Sequence, residues 1–214
     1  MSDLDSCHTE PVAPYIAISA ADWTEIASTL GDRIAVARGE LGLAPEVAAE
    51  RSGLTHKAYA RIESGRRTLD EDGRQETPNP NLRQVHAVAS VVGLAVADLV
   101  DMPHLSPEGS FPPMRALTAM LDEEYDGLFE HQRGTDEWWA VYATFLGVRI
   151  RARRFQLGMT LTTLSDSIDV SIADLGMLES VDPREPINPS LYSLALVAKA
   201  LSIPVVDLLP VEIM

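Results

Sequence analysis

Cysteine is almost missing from this chain: its 214 residues include one, Cys7. A single thiol closes no internal bridge, so a disulfide framework is excluded and a reducing compartment fits. Long apolar runs are missing too. None reaches the ~18 residues of a membrane span, so no membrane partner is expected. The N-terminal stretch MSDLDSCHTEPVAP holds no Lys, no Arg and no apolar core, unlike a secretory signal. Nothing alternates convincingly as a strand. The histidines His8, His56, His86, His104 and His131 are scattered without metal-ligand spacing, and no Gly-rich phosphate loop follows a strand. No metal, cofactor or catalytic residue is expected, and the chain does not read as an enzyme.

Positive charge is also scarce, at 17 Lys and Arg against 32 Asp and Glu, a net charge of −15. A nucleic-acid binder usually shows a basic surface, so the distribution decides more than the total. Residues 1–29 carry five acidic residues and no Lys or Arg. Residues 30–69 carry seven basic and five acidic residues, whereas 111–145 carry seven acidic and two basic. The positive balance is confined to one short stretch. The carboxylate run Asp122, Glu123, Glu124 and Asp126 reads as a solvated face, because neighbouring acids on a helix point in different directions.

What the chain does have is a repeat. LGDRIAVARGELG begins at Leu30 and LGVRIRARRFQLG begins at Leu146, an offset of 116. Without a gap, Leu30, Gly31, Arg33, Ile34, Arg38, Leu41, Gly42, Glu63 and Ser64 fall on identical residues of the second repeat. Upstream, Trp23 falls on Trp139 and Ala27 on Ala143. A repeat this long is an element used twice, not a solenoid period of 20–50 residues.

Capping and apolar spacing give the elements. Ser19, with Asp22 three residues on, starts a helix whose Trp23, Ile26, Leu30, Ile34 and Leu41 recur at helical spacing. Gly42 ends it and Pro45 opens a short second helix through about Arg51. Ser52-Gly53 is the turn, Thr55 caps a third helix, and Gly65 ends it. A polar loop spans 66–81, and Leu82–Val92 and Val96–Val100 are the fourth and fifth helices. In the second repeat Thr135, Thr160 and Ser171 take the capping places, and Asp169 takes the turn place of Gly53. Helices follow at Leu191–Leu201 and Val205–Leu209. Trp23, Trp138 and Trp139 read as core or interface residues. The expected organisation is an acidic tail (1–18), a first domain (19–103), a linker with an amphipathic helix (104–134) and a second domain (135–214).

The first repeat, LGDRIAVARGELGLAPEVAAERSGLTHKAYARIESGRR followed by NLRQVHAVASVVGLAVADLV, resembles the lambda-repressor/Cro-like (XRE-type) helix-turn-helix family. Ala49, Gly53, Thr55, Ile62, Glu63 and Gly65 match its pattern. The resemblance implies an all-α chain of two five-helix domains joined by a helical linker. It also implies double-stranded DNA as partner, with the third helix entering the major groove. Tyr59 and Ile62 then face inward. His56, Lys57 and Arg61 face base edges, with Ala60 between them. Thr55, Arg66 and Arg67 reach phosphate. Glu63 is expected to pair with Arg33 or Arg38. Two features depart from the family: Pro45 stands where a Gln usually anchors phosphate, and the loop carries Asp70, Glu71 and Asp72.

The corresponding helix of the second repeat, SIADLGMLES, has no basic residue, so that repeat is not expected to read DNA. Arg149, Arg151, Arg153 and Arg154 read as a solvated face or as partners of the acidic linker. The apolar Ile172, Leu175 and Met177, with Leu117, Leu121 and Leu128 of the linker, form the expected surface for a homodimer or a protein partner, the alternative being that the same surface packs the second repeat on the first within one chain. The expected function is a sequence-specific DNA-binding transcriptional regulator, cytoplasmic and associated with the nucleoid. The competing reading is an interaction or scaffold protein with little DNA binding.

Overall fold

The computed structural model describes residues 15–66, 68–69, 75–102, 135–180, 182 and 184–210, with Thr68, Leu69 and Gln75 described by backbone alone. The architecture is all-α. The first repeat contains α1 (Ala20–Glu40), α2 (Pro45–Arg51), α3 (His56–Ser64), α4 (Leu82–Val92) and α5 (Val96–Val100). The second contains α6 (Asp136–Gln156), α7 (Leu161–Ser167), α8 (Ile172–Leu178), α9 (Leu191–Ala200) and α10 (Val205–Leu208) in the same order. The polar loop of the first repeat also holds a two-residue antiparallel ladder. Here β1 (Thr68–Leu69) pairs with β2 (Gln75–Glu76), placing Thr68 opposite Glu76. The amphipathic linker segment lies outside the described residues.

Local chemistry explains where the helices begin. The Ser19 hydroxyl accepts from the Asp22 amide at 3.1 Å, and the Ser19 amide donates to the Asp22 carboxylate at 3.3 Å. Thr135, Thr160, Ser171 and Ser190 cap their helices through the same side-chain bond. Pro45 sits in the first turn of α2, where its missing amide costs nothing.

The repeated Leu-Gly-x-Arg-Ile has a packing reason. A Cβ on Gly31 would lie 2.3 Å from the Glu63 carbonyl oxygen, and one on Gly147 would lie 2.7 Å from that of Ser180. Gly65 meets α1 as closely from the other side, 2.3 Å from the Ala27 carbonyl oxygen. The first and third helices of each repeat therefore touch backbone to backbone. The repeated Arg holds the fifth helix: Arg33 donates to the carbonyls of Asp98 (2.8 Å), Leu99 (3.1 Å) and Asp101 (2.7 Å). Its counterpart Arg149 donates to the Leu209 carbonyl.

One continuous buried core contains both repeats. They join along a seam that exchanges hydrogen bonds between equivalent segments. The Leu82 amide donates to the Pro189 carbonyl at 2.8 Å, and the Leu191 amide to the Pro80 carbonyl at 2.9 Å. The Arg83 amide donates to Asn188 Oδ1 and the Tyr192 amide to Asn79 Oδ1, each at 3.1 Å. Each pair maps onto the other at an offset of 109, so the seam has an approximate two-fold axis within one chain. Beside it, Trp23 meets Tyr192 edge-on at 5.0 Å, and His86 lies against Trp138 at 4.2 Å. All three tryptophans are buried, as expected.

Three expectations change. Arg149, Arg153 and Arg154 are buried and do not form a solvated face; only Arg151 is exposed. Arg153 donates to the Leu201 carbonyl at 3.1 Å and Arg154 binds Glu179. Leu175 is fully buried and is not part of an outward surface. It occupies the place of Tyr59, which points inward for the same reason. Asp169 does not adopt the left-handed backbone of Gly53: Ser202 is the only positive-φ non-glycine among the described residues. Instead α7 ends in an extended Ile168, at φ −139° and ψ 160°.

Candidate nucleic-acid interface

The geometry of α3 starts with its turn. Gly53, at φ +69°, reverses the chain after α2, a conformation that costs a glycine no Cβ clash. Thr55 then caps α3, its hydroxyl accepting from the Ala58 amide at 3.2 Å. Tyr59 and Ile62 are buried and fix the helix against α1 and α2. Burial, reinforced by the Glu63 carboxylate, pushes the Tyr59 phenol well above its ordinary range.

Glu63 pairs with Arg38, one of its two expected partners. Arg38 Nε donates to both carboxylate oxygens at 3.0 Å, and Nη2 to one of them at 2.7 Å. The hydrogen bond to Glu63 raises the Arg38 guanidinium above its ordinary value, against burial. Arg38 is thereby committed to structure.

The outward residues differ in availability. His56 and Lys57 are exposed on the first turn of α3. His56 Nε2 stands 3.5 Å from Glu46 of α2. Lys57 has no ion-pair partner among the described residues. Arg61 is half-buried and ion-paired through Nη2 with Glu76 of β2. Thr55 and Arg66 are exposed; Arg67 lies outside the described residues. Thus α3 brings Thr55, His56 and Lys57 together at its exposed N-terminal end, while Arg61 is turned toward an acid.

Glu76 and Glu46 were not singled out by the sequence. Glu76 reaches Arg61 only because β2 returns beside α3, a nonlocal event. Glu46 lies near the start of α2, and only the angle between α2 and α3 brings it to His56.

A groove of about 370 Å³ runs between α3 and the chain leading into α4, lined by Thr55, Lys57, Arg61, Glu76, Asn79 and Pro80. The second repeat has the matching groove, about 480 Å³, lined by Ser171, Asp174, Met177, Asn188 and Pro189. The frame is shared and the chemistry is not. Positions equivalent to His56, Lys57 and Arg61 hold Ile172, Ala173 and Met177. Ile172 and Met177 are exposed, as expected, whereas Leu117, Leu121 and Leu128 lie outside the described residues.

No cluster of His, Cys, Asp or Glu suited to a metal occurs among the described residues, and none of their helices is long and apolar enough to cross a membrane. No protein-family model, characterised protein or solved structure matches the chain.

Proposed function

We propose that this chain is a sequence-specific DNA-binding regulator that places α3 in the major groove. The carrying observation is the exposed pair His56 and Lys57 on the first turn of a helix that Gly53, Thr55, Tyr59 and Ile62 fix in place. The groove admits one helix, and Lys can donate to the two acceptors on a guanine edge. Arg66 and Thr55 flank the helix and supply phosphate contacts, which orient without specifying. The second repeat braces the first through the seam, and its α8 offers no cation to phosphate or base. Regulation then consists of occupying an operator, where chromosomal DNA is present.

A second reading is an interaction protein. It is favoured by the pairing of Arg61 with Glu76, which offsets one of the two Lys and Arg side chains on α3, and by the acidic Glu46 beside His56. Selection of bound duplexes from a random library, with retention on heparin as a companion, separates the readings. Enrichment of a motif and a measurable salt slope support DNA binding. Absence of both supports the interaction reading.

A further inference from the structure

The seam and the two unequal third helices together define what kind of DNA this chain would take. We infer that a single chain is the complete binding unit and that its target is an asymmetric duplex carrying one half-site without its mirror image. This rests on the DNA-binding reading above.

Two-reader proteins of this size usually dimerise to place two identical helices about one turn of DNA apart, so their sites are inverted repeats. Here the two-fold relationship is already used within the chain. The four reciprocal bonds join Leu82 to Pro189, Leu191 to Pro80, Arg83 to Asn188 and Tyr192 to Asn79, each the counterpart of another across the seam. The same edge cannot pair with another chain while it is filled from within. The homodimer expected from the sequence would need a different surface; of its described apolar candidates Leu175 is buried, which leaves only Ile172 and Met177 exposed.

The two-fold axis relates α3 to α8, so α8 stands where the second reader would be. Its outward residues Ile172, Ala173 and Met177 form no charge-assisted bond to a phosphate or a guanine. Exposed Asp174 adds repulsion. One half of the frame reads and the other does not. The asymmetry of the chain is carried into the asymmetry of its site.

The experiment uses the full chain and a random duplex library, with light scattering and a titration of stoichiometry. The expected result is a mass near 23.3 kDa, one chain per duplex and a single unpaired motif. The full chain carrying Ile172→His, Ala173→Lys and Met177→Arg, all at exposed positions, should then select two inverted copies of that motif at fixed spacing. It should bind the paired site roughly tenfold or more tightly than the single one, because the second half engages at high effective concentration. An inverted repeat, or two chains per duplex, from the natural chain overturns this inference while leaving DNA binding intact. A triple variant that stays folded and still selects a single motif overturns the placing of α8. No enriched sequence at all overturns the DNA-binding reading, and this inference with it.

Discussion

Arg154 grips Glu179 on both carboxylate oxygens, Nε at 2.6 Å and Nη2 at 2.7 Å, with both side chains almost wholly out of water. The equivalent Arg38–Glu63 pair is somewhat more open, at 18% and 13% side-chain exposure against 7% and 6%. Removing one partner of a buried pair leaves an uncompensated charge, which costs about 3–5 kcal/mol. Glu179→Ala is therefore expected to destabilise strongly, and Glu63→Ala by less. The double change Arg154→Met with Glu179→Leu should be close to neutral, because no charge is stranded. Urea denaturation of the three variants measures this; equal loss for Glu179→Ala and the double change would refute it.

Gly31→Ala is expected to loosen α3 from α1. The added methyl meets backbone, which cannot swing aside like a side chain. Overpacking typically costs ~1–3 kcal/mol, and the tighter approach places Gly31→Ala above Gly147→Ala. Thermal melts followed by circular dichroism rank the two. A smaller loss for Gly31→Ala than for Gly147→Ala contradicts the packing argument.

Ser202 holds a left-handed backbone, φ +53°, at the place where the first repeat has Gly93 at φ +74°. A Cβ in that region costs roughly 1–2 kcal/mol. Ser202→Gly removes the clash and adds unfolded-state freedom, which takes back part of the gain. The expected net stabilisation is about 0.5–1 kcal/mol. Chemical denaturation reads it as a higher midpoint with unchanged slope; a lower midpoint rules it out.

The helices were legible because their signals are local. Ser19 with Asp22, Thr55, Thr135, Thr160 and Ser171 each act within three residues of themselves. Burial of charge was not legible, since the pattern of Arg149, Arg153 and Arg154 does not reveal that carbonyls and Glu179 await them. Leu175 could have been placed correctly, because the repeat sets it on Tyr59. The seam was hidden for a different reason. The offset falls from 116 to 109 beyond α3, since the first repeat inserts the β1–β2 ladder. Asn79-Pro80 and Asn188-Pro189 therefore do not align in the ungapped match. For the candidate interface, the sequence carried Thr55, His56 and Lys57. It could not show that Arg61 is held by Glu76, a contact made by chain folding back.

That last contact separates the two cations of α3, an exposed Lys57 and a restrained Arg61. Lys57→Ala should weaken a selected site by ~1–3 kcal/mol, tenfold or more, with a smaller effect on random DNA. Arg66→Ala should weaken both DNAs alike and reduce the salt slope by roughly one contact, because phosphate binding releases counterions irrespective of sequence. Glu76→Gln acts in the opposite direction. It removes the acid beside Arg61 and should tighten binding to any duplex several-fold while steepening the salt slope by up to one phosphate contact, about 0.9 in log–log units. Exposed ion pairs contribute little stability, about 0–1 kcal/mol, so the fold should tolerate this change. Electrophoretic shifts at several salt concentrations, on a selected site and on random DNA, measure all three. Equal losses on both DNAs for Lys57→Ala would remove it as a reader of bases. Unchanged or weaker binding by a folded Glu76→Gln protein would show that Arg61 makes no contact with DNA.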